Sequence, residues 1–190
     1  MSYSDRPKIL QNRPMKSFSL LLLCAASFHC YAESYQSAVQ SALDAEPALC
    51  LGETRWPVII AKGRDGWLTA RMAALVDAGL IARSATANET VWRLTGYGGR
   101  EFRRHHDFCY GQMRVKHIQS VTAREAGQTE VIFTYDIAHL PAWANNKAVR
   151  VANNDLDNLL MGVDKVRWRV SFSTATRQVV AEPEQLDLLY

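Results

Sequence analysis

The densest run of chemically capable side chains in the chain is Arg103-Arg104-His105-His106-Asp107-Phe108-Cys109. Histidine, aspartate and cysteine are the residue types that ligate transition metals or pass protons. Their spacing argues against a dedicated metal centre, because adjacent residues on a helix point about 100 degrees apart while helical ligand pairs sit at i and i+4. His105 and Cys109 have that relation, but Cys109 is more economically half of a disulfide, so no metal and no cofactor is assigned. His117 and His139 have no serine, cysteine or carboxylate at a recognisable catalytic spacing. An enzymatic reading, a small envelope hydrolase or a metal-dependent enzyme, would have to use His105, His106, Asp107 and His117. The glycines of 63–66 and 96–99 lack the lysine of a phosphate loop and read as turns.

A second constellation is cationic. Arg114 and Lys116 fall on the polar side of one strand pattern, and Lys165, Arg167 and Arg169 on the polar side of another. If those strands are neighbours, five cations share one face and could hold an acidic partner protein or an anionic envelope polymer. The competing expectation is a solvated face balanced by Glu130 and Asp136 on a strand between them.

What surrounds these residues sets their compartment. Met15-Lys16 followed by the apolar run from Phe18 to Phe28 is cationic at its start and too short to span a bilayer, the pattern of a secretory signal peptide over residues 1–32. Cleavage is expected after Ala32, and the true start is expected at Met15. Leu23 and His29 precede Cys24 and Cys30 where a lipid-anchored form would need a small residue. Residues 1–32 hold four of the 22 basic residues and one of the 19 acidic ones, leaving 18 of each sign and no net charge in the mature chain. A protein that lives by gripping phosphate backbones carries a basic excess, so nucleic acid is not expected as a partner. The mature part keeps two cysteines, Cys50 and Cys109, and an isolated pair in an oxidising compartment is expected to be joined. Periplasmic or secreted placement follows, with no membrane span once the leader is gone.

Periodicity then supplies the elements. Tyr35, Val39, Ala42 and Leu43 predict an opening helix ending near Pro47, and Arg55–Ile60 a short strand. Leu68, Met72, Leu75, Val76 and Leu80 predict a helix stopped at Gly79. Ile81–Thr86 and Thr90–Leu94 read as a hairpin and Tyr97–His106 as a polar helix. Alternation over Met113–Val121 and Val131–Ile137 predicts two strands turning at Gly127. A single helix is expected from Pro141 to about Met161, then a strand from Lys165 to Phe172 and a return strand near Gln178–Ala181. Trp56, Trp92, Trp143 and Trp168 sit at apolar positions and read as core.

The stretch from Met72 to Arg83, with Val91-Trp92-Arg93-Leu94-Thr95 and Gly98-Gly99-Arg100-Glu101-Phe102 after it, resembles a winged-helix module. The resemblance covers about residues 66–102 and implies the fold of that lobe. A DNA-reading function would need a more basic second helix than Thr69, Ala70, Arg71, Ala73 and Asp77 provide. The whole layout also resembles small exported proteins of proteobacteria. The expected fold is α+β: a winged-helix-like lobe over 33–107 packed beside an antiparallel sheet with one long helix over 108–183, and a loose tail over 184–190. The expected function is a non-enzymatic periplasmic protein that binds another envelope or secreted protein as a stress, inhibitor or assembly factor. A winged-helix DNA-binding regulator becomes the reading if the chain is not exported.

Overall fold

Residues 35–187 of the chain are described by a computed structural model; the expected leader lies outside the described residues. The architecture is α+β, with two antiparallel sheets and helices packed against each. Helix α1 (35–45) precedes β1 (Leu49–Cys50), β2 (Val58–Ala61), α2 (Gly66–Asp77), β3 (Ile81–Ala85), β4 (Glu89–Leu94) and α3 (Gly96–Arg103). The second half runs β5 (Cys109–Arg124), β6 (Gln128–Ala138), α4 (Lys147–Ala152), α5 (Asn154–Gly162), β7 (Trp168–Ser173) and β8 (Val179–Gln185).

The larger sheet has the order β1-β5-β6-β7-β8. On β6 the period-two residues Val131, Phe133, Tyr135 and Ile137 are all buried. α1 lays Tyr35, Val39, Ala42 and Leu43 across Val131, Phe133, Val170 and Phe172 at one end of that face. At the other end Tyr135 and Ile137 meet Leu159 and Leu160 of α5. β5 carries irregularities between Val115 and His117 and between Ile118 and Ser120, so Val115, Ile118 and Val121 reach one core although they are three residues apart. Gln40 of α1 seals part of the β5 edge with its side chain: its Oε1 accepts from the Val115 N–H at 2.9 Å and its Nε2 donates to the Met113 carbonyl at 3.2 Å.

The smaller sheet has the order β2-β4-β3, with Trp92 of its central strand buried. α2 gives way to Gly79 at φ +73, the β3–β4 hairpin follows, and Thr95 caps α3 by accepting from the Gly98 N–H at 2.9 Å. The same hydroxyl donates to the Gly79 carbonyl at 2.8 Å, tying the start of one helix to the end of the other. Gly98 is needed there: a Cβ on it would lie 1.8 Å from the Leu80 carbonyl oxygen.

Several expectations are corrected. Elements cross the expected boundary between the lobes: α1 packs on the second-half sheet, while Val149 of α4 and Leu156 of α5 share a core with Met72, Leu75, Leu80 and Trp92. The long helix is broken into a 3-10 turn (Ala142–Asn145), α4 and α5. Asn146 starts α4 by accepting from the Ala148 and Val149 N–H groups, and Asn153, at φ −136 and ψ 88, turns the chain between α4 and α5. β2 begins only at Val58, after Pro57, which has no N–H to give a ladder. β7 begins at Trp168, which leaves Lys165 and Arg167 ahead of the strand. The tail is not loose from residue 184, since Glu184 and Gln185 still pair with β7.

Cys50 and Cys109 stand opposite each other on β1 and β5 and form the expected disulfide. No helix among the described residues is long and apolar enough to cross a membrane.

Candidate binding cleft

Asn146, at the head of α4, donates to Asp77 at the end of α2 at 2.9 Å, so α4 starts where α2 finishes. Between them lies a cleft of about 1120 Å³. Ala70, Ala73 and Ala74 of α2 and Ala148 and Ala152 of α4 line it, and because these side chains are short the trough stays open. Trp67, at the first turn of α2, and Val151, on α4, line it as well. They are 66% and 73% exposed, the two most exposed large apolar side chains among the described residues. Asp65 fixes where α2 begins, because its carboxylate accepts from the Leu68 N–H at 2.9 Å. Trp67 therefore falls one position ahead of Leu68, outside the stripe that enters the core.

Beneath Trp67 the cleft is braced. The Arg71 guanidinium lies 4.6 Å from the centre of the Trp67 ring, a stacking that fixes the indole plane. Arg71 in turn donates to the Leu51 carbonyl at 2.9 Å and stands 2.8 Å from the Glu53 carboxylate. That carboxylate oxygen accepts no aligned hydrogen bond, so the contact is an ion pair by charge alone. Burial pushes the Glu53 carboxyl above its ordinary value; Arg71 opposes the rise and the nearby Asp107 charge adds to it. Cys50 and Tyr110 also line the cleft, and Tyr110 is pushed up by burial and by the charge of Asp155.

The predicted catalytic residues are not brought together. His105 and His106 are exposed in the turn after α3, with His106 edge-on to Phe102 at 6.1 Å between ring centres. Asp107 is buried and accepts from three backbone N–H groups, those of Gly52 (2.9 Å), Glu53 (2.9 Å) and Phe108 (2.6 Å). It anchors the chain leaving β1. His117 lies farther along β5, roughly 25 Å from Cys109 by strand rise, and stands 3.8 Å from Asp164. Among the described residues no group of three histidine, cysteine or acidic side chains could hold a metal ion.

The predicted partner-binding cations of β5 and β7 do not stand on neighbouring strands. β6 lies between them and brings Glu130 and Asp136 among them, the competing expectation, and Arg114, Lys116, Arg167 and Arg169 each meet a carboxylate. Arg114 pairs with Asp44 at 2.9 Å, Lys116 with Asp136 at 3.4 Å and Arg167 with Asp187 at 2.6 Å. Arg169 bridges Glu184 and, at 3.6 Å, Glu130. The hydrogen bond from Arg167 holds the Asp187 carboxyl down to about 2. Lys165 is exposed in the turn before β7.

The cleft residues were open to sequence reasoning in one respect. A tryptophan one step out of phase with an apolar stripe, and a valine out of phase with Val149, Ala152 and Leu156, are large apolar groups on faces expected to be wet. Of the α2 face expected to be exposed, Ala70, Arg71, Ala73 and Asp77 form the wall of the cleft and Thr69 stands outside it. Compared with known protein families, curated proteins and solved structures, the chain matches none.

Proposed function

We propose that the chain is a non-enzymatic protein of an oxidising envelope compartment that binds another envelope or secreted protein, as a stress, inhibitor or assembly factor, through the α2–α4 cleft. One observation carries this reading: the two most exposed large apolar side chains among the described residues, Trp67 and Val151, line the same cleft. Isolated exposed apolar residues are ordinary, but paired anchors beside a concavity are the form of a protein-binding hot spot. Bracing of the indole by Arg71 supports the same reading, since a ring held before contact loses less freedom on binding. The Cys50–Cys109 bond supports the oxidising compartment.

The test is capture from an envelope extract with the purified chain as bait. A specific partner is expected on the native protein and on an Arg167→Glu/Arg169→Glu variant. Trp67→Ala and Val151→Asp are each expected to lower its retention about tenfold, the usual cost of losing a central anchor. A partner retained equally by the Trp67 and Val151 variants removes the cleft from the reading.

A further inference from the structure

From the arginine cluster of α3 we infer a second binding surface, one that docks the protein reversibly onto anionic phospholipid headgroups. Arg100, Arg103 and Arg104 are spaced i, i+3 and i+4, so three guanidiniums share one side of a single helical turn, and His105 and His106 extend the patch. All five side chains are exposed. Among the described residues one carboxylate reaches the patch: Glu101, 3.9 Å from Arg104, whose side chain is 70% exposed. This is the reverse of the large sheet, where Arg114, Arg167 and Arg169 each lie against a carboxylate.

Like charges at these spacings oppose the helix that carries them. The negative end of the α3 dipole offsets part of that repulsion, and it favours one or two cations without requiring a group of three. The remaining charge faces solvent and is complementary to an anion.

Exposure narrows the class. The patch sits at the C-terminal end of α3 with its five side chains exposed, and it does not line the α2–α4 cleft. A cluster of exposed guanidiniums suits a flat array of phosphodiesters, where several anions are met at once. Beside it the half-buried Tyr97 ring lies 5.9 Å from the Arg100 guanidinium, an amphipathic side chain of the kind that settles at the level of lipid headgroups. The surface is independent of the α2–α4 cleft.

Sedimentation with vesicles tests it. The native chain is expected to pellet at low salt with vesicles of equal parts phosphatidylcholine and phosphatidylglycerol and to stay free of pure phosphatidylcholine. Each arginine near such a surface is worth roughly fivefold in partition, so Arg100→Gln/Arg103→Gln/Arg104→Gln should bind about a hundredfold more weakly. Arg103→Glu/Arg104→Glu should not pellet, and Arg114→Gln, whose cation already has a partner, should pellet as the native chain does. Circular dichroism of each variant keeps loss of fold apart from loss of binding. Absence of pelleting with the anionic vesicles overturns the inference, as does undiminished pelleting of the triple variant. Release of the chain by soluble polyphosphate at equal phosphate concentration assigns the surface to a polymer and overturns the lipid.

Discussion

Asp107 shows how chemistry and burial part company in this chain. Its oxygens accept from the N–H groups of Gly52, Glu53 and Phe108, so a carboxylate from the most reactive-looking run in the sequence is a backbone clasp. Two of the three donors, Gly52 and Glu53, lie more than fifty positions away, which is why spacing alone left it among proton-transfer candidates. Trp67 makes the opposite case, because its local phase already set it apart from the stripe of Leu68, Met72 and Leu75. Asp187 can be followed by titration. Its folded value of about 2 lies below the ordinary 3.8, so the stability linked to it is fully present above pH 3.8 and is lost as the pH falls toward 2. In Arg167→Gln the guanidinium bonds and charge are lost while the residue-167 N–H still donates at 2.9 Å, so the carboxyl is expected to titrate above 2 but still below 3.8, read by NMR. A midpoint that stays near 2 would mean that Arg167 does not hold it.

At the scale of elements, what repeats locally was readable and what turns on a single polar side chain was not. Period two marked β5 and β6, and the positive φ of Gly127 lies in the turn between them. The break between α4 and α5 escaped because Asn146 and Asn153 occupy positions that suit a helix's wet face equally well. Only the bonds they form, from Asn146 to the N–H groups of Ala148 and Val149 and from Asn153 to the Val149 carbonyl, reveal them as ends. Local reading left strand order open between two arrangements, and the placement of β6 between β5 and β7 is the one that sets Glu130 and Asp136 among the cations. The junction of α3 with β3 offers a direct check. Gly98→Ala puts a methyl group into the Leu80 carbonyl, so α3 must move, at an expected cost of about 3 kcal/mol. A denaturant midpoint within about 0.5 kcal/mol of the native protein would show that the junction is not tight.

Over the whole molecule, the halves are interlocked: the first helix belongs to the second sheet, and the helices of the second half complete the core of the first. The α+β class and the Cys50–Cys109 bond were readable from composition and compartment; this exchange of helices was not, since nothing in an apolar stripe says which sheet it will cover. The bond spans a separation of 59 residues, and reduction is expected to remove about 4 kcal/mol in the chain-entropy picture. Urea unfolding with and without a reducing agent measures it, and equal midpoints would place the restraint elsewhere.

Exchange of helices also bears on how the polypeptide comes into being. Synthesis proceeds from the amino end, so α1 is complete while the strand bearing Val170 and Phe172, which it must cover, has not yet been made. Throughout that interval its oily stripe has no home on the chain. A newborn molecule of this shape is exposed to clumping at its front end until its rear arrives, and a holding chaperone would find its handle at Tyr35, Val39 and Leu43.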